Sequence, residues 1–227
     1  MALRSRHRKN SATCSLVIFI KGIFITFEGG EGAGKTTQIA RVATALREQG
    51  RDVLTTREPG GNENAEKIRT LLLNSEGASW QPLTELFLIS AARHEHVAKT
   101  IFPALTAGKV VLCDRFTDST LAYQGYAGGL PRSIIDELNT LATLELQPHA
   151  TLFFDVPPSV GLQRSARRGG TDHFEEKDRA FHGKLYAGFK EMVQNNPKRF
   201  TVIDATQPLE RVTEQCLAAV EKILITD

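Results

Sequence analysis

Cysteine is scarce in this 227-residue chain, with only Cys14, Cys113 and Cys216, odd in number and far apart. That pattern supplies neither a disulfide framework nor a metal-ligand spacing, and it suits a reduced, cytoplasmic protein. Cys113 closes the apolar run Val110-Val111-Leu112-Cys113 and Cys216 falls on a helical apolar stripe, where a cysteine serves as a small buried residue. Histidine is equally uninformative as a ligand. His94 and His96 point away from each other on a helix and His149, His173 and His182 are isolated, so neither a zinc site nor a Ser/His/Asp set is suggested. Long apolar runs are missing too. Leu16 to Ile20 stops at Lys21, far short of a membrane span, with no small-residue cleavage site to mark a signal peptide. Asn-Lys-x-Asp for reading guanine, a transporter-ATPase signature, internal repeats and low-complexity segments are all absent. Acids are absent before Glu28, whereas Arg4, Arg6, Arg8 and Lys9 crowd the first ten residues. Those four cations account for the positive sign of a chain with 28 bases and 26 acids. We expect residues 1–20 to be a basic extension ahead of one domain, 21–227, with no nucleic-acid or membrane partner. Hydrophobic residues at 41% and charged ones at 24% fit a globular protein with one good core.

What is present is Gly29-Gly30-Glu31-Gly32-Ala33-Gly34-Lys35-Thr36. It fits Gly-x-x-x-x-Gly-Lys-[Ser/Thr], in which backbone N–H groups wrap phosphates, the lysine reaches the outer ones and the hydroxyl sits on Mg²⁺. The context agrees. Ile23 to Phe27 is a short apolar, β-prone run, and Thr36 to Gln49 places Ile39, Val42, Ala43 and Leu46 at helical spacing. A nucleoside triphosphate is therefore the first expected ligand.

Four more β-like runs follow, at Val53 to Thr56, Val110 to Asp114, Thr151 to Asp155 and Phe200 to Asp204. Helical patterns cover about 63–74, 82–107, 132–145, 159–168, 175–194 and 208–224. Apolar strands alternating with helices predict a doubly wound α/β domain with a five-stranded parallel sheet covered on both faces. Ligands in such folds bind beyond the carboxyl ends of the strands, where this chain has Glu28, Arg57-Glu58, Asp114-Arg115, Asp155 and Asp204. Asp114 can hold a Mg²⁺ shell while Arg115 grips a phosphate, although a structural ion pair explains the two equally well in isolation. Thr120, Tyr123 and Gln124 fall within little more than one helical turn, either a set that reads a base edge or a polar surface patch. Arg69, Arg93 and Arg115 occupy separate crevice positions, as a second anionic substrate would require. The run Arg164 to Asp172, with Arg167 and Arg168, reads as a helix end entering a glycine-bearing loop, hence a basic lid over about 164–176.

With these residues in hand, the chain resembles the bacterial thymidylate kinases, of the P-loop nucleoside monophosphate kinase fold, from about Gly22 to Leu224. The resemblance rests on Phe27-Glu28-Gly29-Gly30-Glu31-Gly32-Ala33-Gly34-Lys35-Thr36-Thr37, Thr56-Arg57-Glu58-Pro59-Gly60-Gly61, Ala91-Ala92-Arg93, Asp114-Arg115-Phe116, Ala122-Tyr123-Gln124-Gly125 and Asp204-Ala205-Thr206-Gln207-Pro208. It implies transfer of the γ-phosphoryl of ATP to dTMP by a cytoplasmic homodimer. On the donor side it implies that Gly29 through Thr37 hold ATP, including Glu31 and Ala33. Arg164, Ala205 and Gln207 would lie at the adenine, and Thr36 with Asp114 at Mg²⁺. On the acceptor side it assigns Arg69 and Arg115 to the phosphate, Glu58 to the sugar side, Arg93, Thr120 and Gln124 to the thymine edge, Tyr123 to exclusion of a ribose 2′-hydroxyl, and Pro59 to the dTMP site. Glu31 would face the acceptor nucleoside. Lys35, Asp114, Arg115 and Arg168 would be catalytic, since the phosphate loop carries no arginine and the lid supplies one. Two departures stand out. Ile89 occupies the place where relatives usually stack a phenylalanine on thymine, Phe87 being on another helical face, and His173 replaces an arginine after the lid aspartate. The Ile89 change leaves open a kinase for another monophosphate such as dUMP, and a non-catalytic ATP-binding switch is the remaining alternative.

Overall fold

Five apolar runs become five parallel strands in the computed structural model, which describes residues 21–73, 80–167 and 177–226. They are β1 (Ile23–Glu28), β2 (Val53–Arg57), β3 (Val110–Asp114), β4 (Ala150–Asp155) and β5 (Phe200–Asp204), ordered β2-β3-β1-β4-β5 across the sheet. Each lies within a residue of its sequence expectation. The three central strands are buried almost end to end because helices cover both faces, whereas edge strands β2 and β5 each leave several side chains exposed.

The helices are α1 (Lys35–Glu48), α2 (Glu63–Leu73), α3 (Pro82–His96), α4 (Phe102–Thr106), α5 (Thr117–Thr120), α6 (Arg132–Thr143), α7 (Pro158–Ala166), α8 (Arg179–Asn195) and α9 (Leu209–Thr226). On one face, Ile25 and Phe27 of β1 pack with Ile39, Val42 and Leu46 of α1 and with Val212, Cys216 and Val220 of α9. On the other, Phe24, Val111 and Cys113 meet Val97, Ile101 and Leu105. Period-two alternation along β1 thus divides its side chains between two cores. A third cluster joins Leu86, Tyr123, Ile135, Leu185 and Phe189 beside the sheet. Both Cys113 and Cys216 are fully buried, as their apolar surroundings predict.

The helix expected over 82–107 is interrupted. A π-helical turn, Val97–Ile101, separates α3 from α4, closed by the Phe102 N–H on the Val97 carbonyl. Pro103 lacks the N–H that would continue the α-helical ladder, so the wider turn sits where that ladder already loses a bond. A second π turn, Leu121–Ala127, extends α5 and carries Tyr123 and Gln124, in a stretch expected only as a local helical turn. The start of α8 is fixed by Asp178, whose carboxylate accepts from the Phe181 N–H at 2.8 Å. The basic extension 1–20, Arg168, His173 and most of the expected lid lie outside the described residues.

The strand register brings the chemistry to one edge. Phe27 and Arg57 both pair with Asp114, so the segments leaving β1, β2 and β3 emerge side by side. A crevice of about 790 Å³ opens there.

Candidate active site

The phosphate loop turns back on itself between β1 and α1 because glycine permits left-handed backbone, at φ 64° for Gly32 and 90° for Gly34. At Gly32 a second constraint applies. A Cβ there would run into the Gly161 carbonyl of α7, so loop and helix meet backbone to backbone. Lys35, the first residue of α1, folds over the loop and donates to the Gly29 and Gly30 carbonyls at 3.1 and 3.0 Å. Burial, with Arg115 nearby, holds its pKa below the ordinary lysine value. Thr36 donates from Oγ1 to Oδ2 of Asp114 at 2.7 Å, joining the start of α1 to the end of β3. Two hard oxygen ligands therefore converge, the donor chemistry that suits Mg²⁺.

Beside the loop stands Arg115. Its backbone is left-handed, at φ 67°, which turns the side chain from the end of β3 toward the loop. The guanidinium donates to the Gly29 carbonyl at 3.0 Å, to Ser119 Oγ at 3.2 Å and to Glu31 Oε1 at 2.8 Å, and it lies 5.0 Å from the centre of the Tyr123 ring. The Tyr123 hydroxyl also donates to Glu31 Oε1. Burial opposes ionisation of Glu31, but Arg115 and Lys35 outweigh it and bring its pKa down to about 2. The loop carboxylate is thus ionised and fixed by Arg115 and Tyr123.

The acceptor wall is built from side chains that hold one another. Arg93 is 2% exposed and uses four of its five N–H donors within the protein. Nε donates to Glu58 Oε2 at 2.7 Å, Nη1 to Asn139 at 2.6 Å, and Nη2 to the Phe116 carbonyl at 3.1 Å and Thr120 Oγ1 at 2.8 Å. Glu58 has its other oxygen 3.1 Å from His96 Nδ1, and His96 Nε2 is 2.7 Å from Thr56 Oγ1. Despite its burial, Glu58 keeps a pKa below the ordinary carboxylate value because Arg93 and His96 favour the charge. Glu58 and Arg93 therefore line the crevice as an internally satisfied ion pair more than as free grips. Gln124 donates its amide to Glu85, and Arg69 donates to the Pro59 carbonyl at 2.7 Å.

Of the donor-side residues expected from sequence, Glu31, Gly32, Ala33, Gly34, Lys35, Thr36 and Thr37 line the crevice, and so does Asp114. Gly29 and Gly30 enter as acceptors for Lys35 and Arg115. Arg164, Ala205 and Gln207 form a separate group: Arg164 donates to the Ala205 carbonyl at 2.8 Å, while Gln207 binds Asp204 at 2.8 Å. All the acceptor-side expectations line the crevice: Glu58, Pro59, Arg69, Ile89 and Arg93 from β2 to α3, and Arg115, Thr120, Tyr123 and Gln124 beyond β3. Asp155 does not join them. It accepts instead from Tyr186 and Lys190 of α8, at 2.7 and 2.8 Å.

A family model described as thymidylate kinase matches residues 27–216, which takes in every described residue of this crevice. The chain belongs to the thymidylate kinase family. It is 49% identical over 205 residues to the thymidylate kinase of Caulobacter vibrioides, covering 90% of this chain and 97% of that relative. It is also 49% identical over 195 residues to that of Geobacter sulfurreducens, covering 83% and 92%. Among solved structures, the crystal structure of thymidylate kinase from Ehrlichia chaffeensis superposes with a TM-score of 0.72 at 36% identity, over 88% of this chain and 98% of that one.

In this member of the thymidylate kinase family the structure adds residues that spacing alone did not single out. His96 and Asn139 complete the Arg93 cluster. Ser119 lies between Arg115 and Glu28, the last residue of β1, whose carboxylate also accepts from the Phe116 N–H. Asp118 and Arg199 form a bidentate pair behind them, at 2.6 and 2.7 Å. Apart from Arg115 with Ser119, four residues on, each of these contacts joins segments far apart in the chain, so no local pattern marks them.

Proposed function

We propose that this chain transfers the γ-phosphoryl group of ATP to the 5′-phosphate of dTMP, giving dTDP and ADP. One observation carries the reading: a single crevice holds a phosphate loop with Lys35 and the Thr36–Asp114 pair and, tied to the loop's own ionised Glu31, Arg115 and Tyr123. The loop amides and Lys35 hold the donor phosphates. Lys35 must leave the Gly29 and Gly30 carbonyls to do so, a local exchange of partners. Arg115 offers the acceptor phosphate a guanidinium whose backbone is already fixed, and a planar fork suits a phosphate. Glu31 and Tyr123 form the floor under the acceptor sugar, while Ile89, Gln124 and Thr120 bound the base. Thr36 and Asp114 would hold Mg²⁺, which would supply charge neutralisation at the phosphate oxygens. Arg168 supplies the further cation from the lid. Arg164 with the Asp204–Gln207 turn borders the adenine.

The chain acts as a cytoplasmic homodimer in this reading. No helix among the described residues is long and apolar enough to cross a membrane. Helix α3 packs on both α2 and α6, and these elements expose Leu71, Leu83, Phe87 and Leu141 at 54%, 40%, 54% and 64%. A second copy would cover that apolar side. Sedimentation of wild type and Phe87→Glu checks this: a dimer that the charge dissociates is expected, and a wild-type monomer overturns it.

Coupled ADP release with dTMP, dUMP, dGMP, dCMP and AMP tests the activity. A clear preference for dTMP is expected. Preference for another acceptor, or no turnover with any of them, refutes the assignment.

A further inference from the structure

Glu28 is a carboxylate with no exposed surface, placed behind the crevice rather than in it. Both of its oxygens are engaged. Oε1 accepts from the Phe116 N–H at 2.7 Å and Oε2 from the Ser119 hydroxyl at 2.6 Å. Each donor belongs to the segment that carries Arg115. Phe116 follows it directly, and Ser119 receives its Nη1 at 3.2 Å. We propose that Glu28 is a positioning residue for Arg115, acting through the Phe116 amide and the Ser119 hydroxyl, and so for the acceptor phosphate. The inference rests on the phosphotransfer reading above.

Proton counting explains why a carboxylate is needed. A backbone N–H only donates, so Oε1 must accept. Ser119 has one hydroxyl proton, and placing it on Oε2 leaves the oxygen lone pairs for Arg115. When ionised, the form that pH above about 8 populates, Glu28 orients the hydroxyl so that it attracts the guanidinium. A glutamine of the same shape can accept from Phe116 only by presenting its NH₂ to Ser119. The hydroxyl oxygen then faces donors from both sides and its own proton has lost its acceptor.

The backbone needs the same support. Arg115 is left-handed at φ 67°, a conformation that costs a non-glycine residue free energy and persists where neighbours hold it. The Arg115 N–H donates to the Phe27 carbonyl at 3.0 Å, Cys113 Sγ donates to the Arg115 carbonyl at 3.1 Å, and Glu28 fixes the next amide. Burial, and then Asp118, push the Glu28 carboxyl up to about 8, against the hydrogen bonds and Arg115. Below that pH the carboxyl proton lies between Oε2 and Ser119, and ionisation as pH rises turns Oε2 into an acceptor for the hydroxyl. Asp118 is itself held by Arg199, which leaves Arg115 to Glu31, Ser119 and the Gly29 carbonyl.

Glu28→Gln, Ser119→Ala and the double variant test the proposal by steady-state kinetics for each substrate, calorimetric dTMP binding and thermal melting. At pH 9 each single variant should lower kcat/KM for dTMP about tenfold and weaken dTMP binding equally, with the KM for ATP within about twofold of wild type, whereas at pH 6, where a protonated Glu28 donates to Ser119 as the amide does, Glu28→Gln should lose much less. The double variant should lose no more than Glu28→Gln alone, because both changes interrupt one chain. Additive losses, equal losses for ATP and dTMP, or unchanged dTMP binding overturn it. If Glu28→Gln does not fold, Ser119→Ala carries the test alone through the same split between substrates. A wild type that fails to phosphorylate dTMP refutes the proposed function instead, whereas an active wild type with indifferent variants refutes only the role of Glu28.

Discussion

The two walls of the crevice are made differently. On the donor wall, Gly29 to Thr36 are consecutive, the groups proposed to meet phosphate are backbone amides, and Lys35 rests on carbonyls five and six residues before it. On the acceptor wall, no two principal partners are neighbours in sequence. Arg93 meets Glu58 across 35 residues, Asn139 across 46 and Thr120 across 27, while Arg115 reaches Glu31 across 84. A phosphate is the same in every nucleotide and can be cradled by main chain, but a particular nucleoside must be met by side chains collected from several elements. Function on the donor wall should therefore separate from stability, and on the acceptor wall the two should be entangled.

The strongest test of that contrast is Lys35→Met. Its amine bonds only to loop carbonyls in the described structure, so the substitution removes charge from the transferred phosphates and little from the fold. We expect kcat to fall about 10³-fold or more, as for loss of one essential cation in phosphoryl transfer. The melting temperature should stay within a few degrees. A collapse of stability alongside activity would erase the difference between the walls.

Arg93→Leu is the converse. It deletes four hydrogen bonds and leaves Glu58 buried with His96 as its remaining partner. Breaking a buried pair from one side costs about 3–5 kcal/mol. For a domain of this size that is a drop of roughly 6–20 °C in melting temperature. Adding Glu58→Gln should recover part of it by removing the stranded charge. Loss of dTMP turnover with an unchanged melt would mean that Arg93 serves the base alone.

The same difference governed what could be read from the sequence. Each strand is legible to within a residue because an apolar run between turns is a local signal, and the phosphate loop because its geometry is written in consecutive residues. Glu58, Arg93, Thr120 and Gln124 are legible as residues of the site. Their mutual engagement is not, since it depends on how α3, α5 and α6 stack. His96 escaped notice beside the exposed His94, its partner Glu58 being 38 residues back. Ser119 and Glu28, 91 residues apart, become neighbours only through the pairing of β1 with β3. Asp155 sits at a strand end like Asp114, yet α8 claims it.

Acid and alkali should separate two carboxylates that stand three residues apart. For Glu31 the folded pKa of about 2 lies below the ordinary value of 4.5, so its contribution to stability is complete above 4.5 and fades as pH falls toward 2. For Glu28 the folded value of about 8 lies above 4.5, so its contribution is complete below 4.5 and is lost as pH rises through 8. Relative to wild type, Glu31→Gln should thus become less damaging as pH is lowered from 5 to 3, and Glu28→Gln as it is raised from 6 to 9. Each slope is bounded at about 1.4 kcal/mol per pH unit for one proton. Melting series of the two variants against wild type read both slopes, and parallel curves for either would contradict its assigned environment.

The smallest expected effect lies where the acceptor wall is apolar. Ile89 is 8% exposed and faces the crevice one helical turn before Arg93. A branched aliphatic side chain gives the base a wall but no π face, so dispersion is present and ring stacking is not. Replacing it with phenylalanine adds a ring without disturbing the polar network, because none of the hydrogen bonds around Arg93 and Glu58 involves residue 89. Stacking should then tighten dTMP by about 0.5–1.5 kcal/mol, roughly two- to tenfold in binding, with the ATP constants untouched. Uracil and thymine both offer a face to a ring, so dUMP should gain alongside dTMP, leaving their ratio nearly constant. Titrations of Ile89→Phe with both nucleotides decide the matter: weaker binding of each would mean that the wall has no room for the ring, and a changed ratio that residue 89 reads the 5-methyl group directly.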